Sequence, residues 1–573
     1  MTMDYEAEIS SILKKHLQEE IEIKLEVPPD KNLGDFAFPC FQLAKKWKKS
    51  PQLIAHDLAA KISGSHSNIL EKVIATGPYV NFFLQKKNLA ISILTQIKEQ
   101  QEKFGSQKQE QKIMIEFSSP NTNKPLHLGH VRNISLGDSM SRIFSFLGNY
   151  LVKVCLVNDR GVHICKSMLA YKKWGHNKNP DKKSDFFVGE FYVLFAKKAA
   201  EQPELENEAQ EMLRQWEAGD KEVVALWKKM NQWVYDGFEQ TYHQLGVSFD
   251  KYYYESDMYK FGREIVQQGL KKGIFVKKED AIIAPLEDVG LPDKVVIRSD
   301  GTTLYITQDI YLAQKKFQEY PIDRSVYVVA SEQNLHFQQL FAILKKLGYK
   351  WANSCYHLSY GMVLLPEGKM KSREGTVVDA DKLLEELFAM AREEIHKRHP
   401  DLNKVILEKR AQQVGLGALK FHILKIDAVK DIVYNPKESI NFEGETGPYV
   451  QYTHARISSI LRKAGNIGEE KIDESTLSKT VAVNLYEERE LELAAHLEKF
   501  PQVIQEAGSH YKPSYICRYL LDLCQLFNSY YHDVHVLNAA EEVRAVRLYL
   551  LSCIRQVLQN GLGLLGIEAP EEM

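Results

Sequence analysis

The sequence predicts an α/β protein built around a parallel sheet, with a small α+β module before it and an all-α bundle after it. From "IMIEFSSPN" (113–121) onward, short β-branched runs alternate with stretches of helical periodicity, the pattern of βαβ units. Residues 1 to about 85 mix an amphipathic helix with the alternating "GPYVNFFL". Past residue 400 the strand-like runs stop and helical patterns continue to the end.

Taken in order, "AEISSILKKHLQEEI" predicts the first helix and "GPYVNFFL" a strand whose Tyr79 and Asn81 share one face, with Val80 and Phe82 on the other. "NLAISILTQIKEQQEKFG" reads as a helix leading into a polar linker, "SQKQEQK". The runs "YLVKVCLVND", "VVIRSDGTTLYIT", "SVYVVAS" and "MVLLPEGKM" are expected to supply further strands of the parallel sheet. A Glu-, Lys- and Trp-rich insertion at about 184–245 reads as a solvated helical hairpin decorating that sheet. "ELAAHLEKF", "YICRYLLDLCQLFNSYY" and "VRLYLLSCIRQVLQNGLGLLG" carry the helices of the bundle. The expected divisions are 1–108, 109–400 and 401–573.

At 573 residues and 44% hydrophobic, the chain is long enough for several cores. Its 74 Lys+Arg nearly cancel its 76 Asp+Glu, so no global field announces a nucleic acid, and any RNA contact must come from local patches. The 7 cysteines are scattered without a CxxC pair and read as free thiols in a reducing compartment. Cys155, His163 and Cys165 match no common zinc spacing and are expected to be core residues, so no dedicated metal site is expected. The acidic start does not resemble a presequence, and no run of about eighteen apolar residues occurs. These features predict a soluble, cytoplasmic protein without a membrane partner.

Two loops carry the chemistry. "NTNKPLHLGH" (121–130) lies at the exit of the first strand of the α/β domain with helix-forming residues behind it. Ligands of open parallel sheets bind there, where helix N-termini point N–H groups outward. Gly129 lets backbone approach a ligand closely, and the imidazoles of His127 and His130 could donate to phosphate oxygens. An isolated HxxH pair is a weak signal whose default reading is two buried histidines capping a turn; its position in the fold favours the ligand-binding one. "EGKMKSREGTVV" (367–378) places Lys369, Lys371 and Arg373 in a glycine-flanked loop, suited to the negative charge that moves onto leaving pyrophosphate. Alone it reads as a solvated basic turn.

Together, HLGH near the start of the α/β domain and KMKSR near its end resemble the HIGH and KMSKS motifs of class I aminoacyl-tRNA synthetases. Within that class the chain resembles arginyl-tRNA synthetases over essentially its whole length. The resembling stretches include "EFSSPNTNKPLHLGHVRN", "NDRGVHI", "SDGTTLYITQDI", "SREGTVV", "INFEGETGPYVQYTHAR", "VLQNGLGLLGIEAPEEM", "KNLGDFAFP" and "TGPYVNFFL". The resemblance implies a Rossmann-type catalytic domain, an N-terminal domain contacting tRNA and a C-terminal anticodon-binding bundle behind a helical stem. It implies a ligase that joins L-arginine to tRNA(Arg) through arginyl-adenylate, using ATP with Mg²⁺ as its substrate complex. Monomer is the family's usual state.

By the same resemblance, His127, Gly129, His130, Lys369 and Lys371 are the catalytic residues, and Pro120, Leu128 and Met370 join His127, Gly129, His130 and Lys371 around ATP. Asn121, Glu255, Tyr305, Asp309 and Gln333 hold arginine, whose guanidinium fork calls for carboxylates. From the residues alone, Thr307 reads as a helix N-cap with Asp309 serving the helix dipole, and Tyr305 as a core aromatic. Tyr79, Asn81, Tyr449, Tyr452, Arg456 and Met573 are implied tRNA contacts. The second loop departs from the usual Lys-Met-Ser-Lys order, because Lys371 and Ser372 stand exchanged. That departure leaves open a catalytically altered tRNA-binding regulator with the same fold.

Overall fold

The computed structural model describes residues 5–17, 21–63, 69–365, 368–369, 378–465 and 487–573. The chain divides into two compact units. The first comprises Met1–Phe104, Ile460–Lys499 and Gln525–Val557, and the second Gly105–Ser459, Phe500–Cys524 and Leu558–Met573.

In the first unit, helices α1 (Tyr5–Leu17), α2 (Phe41–Trp47) and α3 (Pro51–Ser63) accompany an antiparallel sheet of β1 (Phe36–Pro39), β2 (Leu70–Thr76) and β3 (Tyr79–Leu84), in the order β1-β3-β2. Ile9, Leu13 and Leu17 recur every four residues along α1, forming one apolar stripe. That stripe shares a core with Val80, Phe82 and Leu84 of β3 and Ile54, Leu58 and Ile62 of α3. Asn81 is also buried, at 3% exposure. The face it shares with Tyr79 is therefore only partly open. Helix α4 (Lys86–Gln100) receives Tyr549, whose hydroxyl donates to the Leu94 carbonyl.

The second unit is organised by five parallel strands: β4 (Lys112–Glu116), β5 (Tyr150–Val157), β6 (Lys251–Tyr254), β10 (Arg324–Ala330) and β11 (Cys355–Tyr360), ordered β11-β10-β4-β5-β6. The chain builds outward from β4 through β5 to β6, then returns to the other side for β10 and β11. The topological switch lies between β4 and β10, and the crevice at their carboxyl ends is where such sheets bind ligands. Beneath it, Lys316 is fully buried, 2.6 Å from Glu116 and 4.2 Å from the ring centre of Tyr327.

Two runs expected in this sheet lie elsewhere. "VVIRSD" forms β9 (Lys294–Ile297), which pairs antiparallel with β8 (Ala281–Ala284), itself antiparallel to β7 (Val276–Lys278). "MVLL" supplies β12 (Val363–Leu365), antiparallel to β13 (Gly368–Lys369) and parallel to β14 (Ile432–Val433), a short strand beyond residue 400. A three- or four-residue apolar run fixes a strand but not its partner. The sheet edges come instead from "KYYY" and "CYHLSY".

Helix α5 (Leu128–Phe146) follows β4, and α6 (Val162–Trp174) follows β5. The insertion contains three helices, α7 (Ser184–Glu201), α8 (Glu204–Glu217) and α9 (Lys221–Leu245), where a solvated hairpin was expected. Its inner faces bury Phe187, Met230, Val234 and Tyr242, and α9 reaches the carboxyl ends of the sheet strands. Cys155 and Cys165 are core residues as expected, but His163 is exposed and pairs with the Tyr192 hydroxyl at 3.2 Å.

Beyond β6 come α10 (Glu255–Met258), α11 (Gly262–Lys271), α12 (Tyr305–Glu319) and α13 (Asn334–Lys346). The helices α14 (Ala380–Arg398), α15 (Lys404–Leu424), α16 (Pro436–Ser439) and α17 (Gly447–Ala464) follow the second loop. At the crossing of α15 and α17, a Cβ on Gly447 would stand 2.2 Å from the Gly417 carbonyl oxygen, so this contact requires glycine. Residues 564–570 close over it: Gln451 donates to the carbonyls of Gln413 and Glu568, and His454 Nδ1 lies 2.9 Å from the Pro570 carbonyl.

Candidate active site

The loop after β4 turns through two consecutive left-handed residues, Ser118 (φ 74°) and Ser119 (φ 44°). Side chains hold this strained turn: Asn133 accepts from the Ser118 N–H, and the Ser118 and Tyr242 hydroxyls lie 2.8 Å apart. Asn133 also donates to the Val328 carbonyl at the end of β10, bridging the switch point. Pro120 is buried, and its carbonyl accepts from Asn158.

His127 is the N-cap of α5. Its Nδ1 accepts from the Gly129 N–H and His130 Nδ1 accepts from the His127 N–H, both at 3.1 Å, with ring centres 3.9 Å apart. The ring of His127 lies so close over Gly129 that a Cβ there would meet it at 3.0 Å. Burial, then Lys124, pushes His127 down to about 3; burial, then His127 and Lys124, pushes His130 well below the usual histidine range. Both rings are neutral near pH 7, and with Nδ1 accepting, each carries its proton on Nε2. The turn-capping role and the donor role are thus compatible on the same rings. Leu128 is buried, and its N–H donates to the Val378 carbonyl.

That bond belongs to a strap. His127 and Asp379 form an antiparallel bridge, and the Ala380 N–H donates to the Leu126 carbonyl, so the exit of the second loop is paired to HLGH itself. The strap is held again from the insertion: Lys183 Nζ lies 2.9 Å from Asp381, 3.0 Å from Asp185 and 2.6 Å from the Thr241 hydroxyl. Lys369 ends β13, but its side chain, Met370, Lys371 and Arg373 lie outside the described residues.

The entry to the second loop is tied to the same helix. Arg132, fully buried, donates to the carbonyls of Gly361, Met362, Ala428 and Lys430 at 2.6–2.9 Å. Burial pushes its guanidinium down to about 10.

Of the remaining expected residues, three lie just after strands and two in the first turns of α12. Asn121, bridged to Asn158, is exposed; Glu255 opens α10 after β6; Gln333 sits in the turn after β10. Tyr305 and Asp309 stand one helical turn apart on α12. Tyr305 is 69% exposed, so it is not a core aromatic. Nor is Thr307 the N-cap: it lies inside α12, buried, donating to the Val296 carbonyl. Asp309 accepts from His336 Nε2 at 2.7 Å rather than serving the helix end. Glu255 is 6% exposed. Burial pushes its carboxyl up to about 7; Arg160 and a hydrogen bond from Gln308 pull it down, while Asp159 and Asp309 push it up.

Sequence reasoning missed Arg132, Asn133, Asp159, Arg160, Lys183 and His336. The first two directly follow HLGH in "HVRN" and the next two stand in "NDRG", so the resembling stretches contained them without indicating their partners.

Elsewhere in this unit Tyr449, Tyr452 and Arg456, spaced three and four apart, share a face of α17, with Tyr452 and Arg456 exposed. The Arg398 guanidinium lies 4.0 Å from the Phe442 ring centre and 5.9 Å from that of Tyr452, and the neighbouring His399 Nε2 is 2.8 Å from the Met573 carbonyl. In the first unit Tyr79 meets Phe41, itself 50% exposed, edge to face at 5.7 Å.

Comparison with known proteins settles which family carries this crevice. Residues 92–436 match the catalytic domain of class I (R) tRNA synthetases, residues 450–573 the DALR anticodon binding domain and residues 3–84 the arginyl tRNA synthetase N-terminal domain. The chain belongs to the arginyl-tRNA synthetase family. An arginine–tRNA ligase of Treponema denticola is 45% identical over 564 residues, covering 96% of this chain and 95% of that protein. One from Bacteroides fragilis is 45% identical over 573 residues, covering 94% of each. The solved arginyl-tRNA synthetase of Thermus thermophilus is similar with a TM-score of 0.80 at 29% identity, across 100% of both chains. As in the class I family, the catalytic domain is one that uses ATP. Among the described residues no helix is long and apolar enough to cross a membrane.

Proposed function

We infer that this chain is an arginine–tRNA ligase: the arginine carboxylate attacks the ATP α-phosphate, pyrophosphate leaves, and a terminal ribose hydroxyl of tRNA(Arg) then takes the arginyl group from the adenylate as AMP leaves. The observation that carries this reading is the placement of neutral histidines at a helix N-terminus after β4 and of an acid, Glu255, after β6, both beyond the carboxyl ends of strands of one parallel sheet, with Asp309 facing Glu255. Relatives of nearly equal length that are arginine–tRNA ligases favour it over an altered regulator. The test is charging of total tRNA with each amino acid in turn: arginine alone should be transferred, and transfer of another in its place would overturn the reading.

His127 and His130 donate from Nε2 to ATP phosphate oxygens, and Gly129 admits them by leaving room for the His127 ring. Pro120 and Leu128 shape that wall, and Lys369, Met370 and Lys371 complete it from the second loop. No protein nucleophile is needed; alignment and charge stabilisation carry the chemistry. Mg²⁺ arrives with the ATP phosphates as part of the substrate. Glu255 and Asp309 accept the guanidinium N–H groups, Tyr305 covers the side chain, and Asn121 and Gln333 orient the polar end. Residues 1–108 contact tRNA through Tyr79 and Asn81, 109–400 are catalytic, and 401–573 form the stem and anticodon-binding region, with Tyr449, Tyr452, Arg456 and Met573 at the RNA. The ligase works as a cytoplasmic monomer.

A carboxyl held near pH 7 must ionise before it accepts a guanidinium. The KM for arginine is therefore expected to rise about tenfold from about pH 8 to about pH 6, while that for ATP changes little. Steady-state charging across that range checks it. Glu255→Gln should raise the arginine KM and flatten its pH dependence; a variant retaining the parent profile would remove Glu255 from the site.

A further inference from the structure

Glu255 is the first residue of a four-residue helix, too short to be rigid by itself. What fixes it is Asp159, at the carboxyl end of β5. Asp159 is 1% exposed, and its carboxylate accepts from the Ser256 N–H at 2.8 Å, the Ser256 hydroxyl at 2.7 Å and the Tyr235 hydroxyl at 3.1 Å. Its own carbonyl is gripped from the insertion by Trp227 Nε1 at 2.7 Å and the Asn231 amide at 3.1 Å. One buried side chain thus joins β5, α9 and the start of α10.

We propose that Asp159 is a positioning residue for arginine recognition: by holding Ser256 it sets where the adjacent Glu255 carboxylate stands, and through α9 it makes the helical insertion part of the specificity site. The inference rests on the reading of Glu255 as a guanidinium acceptor. A carboxylate with three donors is well suited to the task, because each bond is charge-assisted and all three converge on one group. The charged and polar groups facing Glu255 are Asp159 and Arg160 from the end of β5, and Tyr305, Gln308 and Asp309 from α12. Arg160 lies 4.0 Å from the Glu255 carboxylate, is ion-paired to Glu217 and sits 4.0 Å from the Tyr259 ring centre, so it faces the carboxylate with its charge, whereas Asp159 holds the backbone beside it at the Ser256 N–H. Asp159 is also a negative neighbour that raises the ionisation range of Glu255.

The test is charging of tRNA by the full chain, with arginine and ATP varied separately, for Asp159→Ala, Asp159→Asn, Ser256→Ala and Glu255→Gln. Asp159→Ala should raise the arginine KM about tenfold or more and leave the ATP KM within about twofold. Asp159→Asn keeps an acceptor but removes the charge; it should raise the arginine KM less and move the midpoint of the arginine pH profile downward. If Glu255→Gln leaves the arginine KM unchanged, the reading of Glu255 fails and the inference with it. If Glu255→Gln raises it while Asp159→Asn and Ser256→Ala keep both the arginine KM and its pH midpoint, Asp159 is merely structural and the inference alone is overturned. Those two mild variants decide the matter on the same criterion if Asp159→Ala does not fold.

Discussion

Alanine at both His127 and His130 is expected to slow arginine activation by a hundredfold or more, a barrier increase of about 3 kcal/mol. Each ring has two tasks. Its Nδ1 accepts a backbone N–H and so closes the first turn of α5, while its Nε2–H has no acceptor among the described residues and can meet a phosphate oxygen. The double variant loses both donors and uncaps the helix at the point where ATP is proposed to sit. Because burial keeps the rings neutral far below pH 7, the loss should be nearly the same at pH 6 and pH 8, unlike an effect carried by imidazolium charge. Asparagine at 127 restores a cap but cannot place a donor where Nε2 stands, so it should recover thermal stability without recovering rate. Pyrophosphate exchange in the presence of tRNA, alongside thermal melts, separates the two contributions; full activity in the double variant would exclude both rings from the ATP site.

Arg132→Ala should be the most damaging single change to stability, on the order of 4 kcal/mol. Its guanidinium serves four carbonyls on two segments far apart in sequence. The Met362 and Ala428 carbonyls have other backbone donors, from Ile432 and Gly361. The Gly361 and Lys430 carbonyls depend on Arg132 for the bonds described above. Lysine offers one ammonium where a planar fork is needed and should restore little. Since Gly361 and Met362 lead directly into β12, a folded variant should also lose rate with nearly unchanged arginine KM. Urea unfolding and charging kinetics on the same preparation test both; a variant as stable and active as the parent would show that the segments hold together without the clamp.

The parts of this molecule legible in the sequence are those whose meaning is local. HLGH sits at a strand end with a helix behind it, and both facts are written within about twenty residues. The stripe of α1 and the helices after residue 400 likewise follow from spacing. The misassigned strands are those whose identity depends on a distant partner: "VVI" and "MVLL" are good strands that join small separate sheets, and "KYYY" shows no alternation to mark it as an edge. The same limit hid the roles of Asp159, whose ligands lie 68 to 97 residues away, and of Arg132, whose carbonyls lie 229 to 298 residues away. The insertion looked like a decoration because its polar surface dominates its composition, whereas the few residues that matter, Trp227, Asn231, Tyr235 and Tyr242, face inward.

The reach of Arg132 also bears on the order in which the chain can assemble as it is made. Helix α5 leaves the ribosome early, yet two of the four carbonyls that receive its guanidinium belong to residues 428 and 430, and the strand that pairs with β12 follows immediately. Contacts so distant along the chain form late and slowly, since a long loop must close before they repay it. A nascent chain that ends at Gln333, the last of the residues proposed to hold arginine, therefore still lacks the clamp on α5.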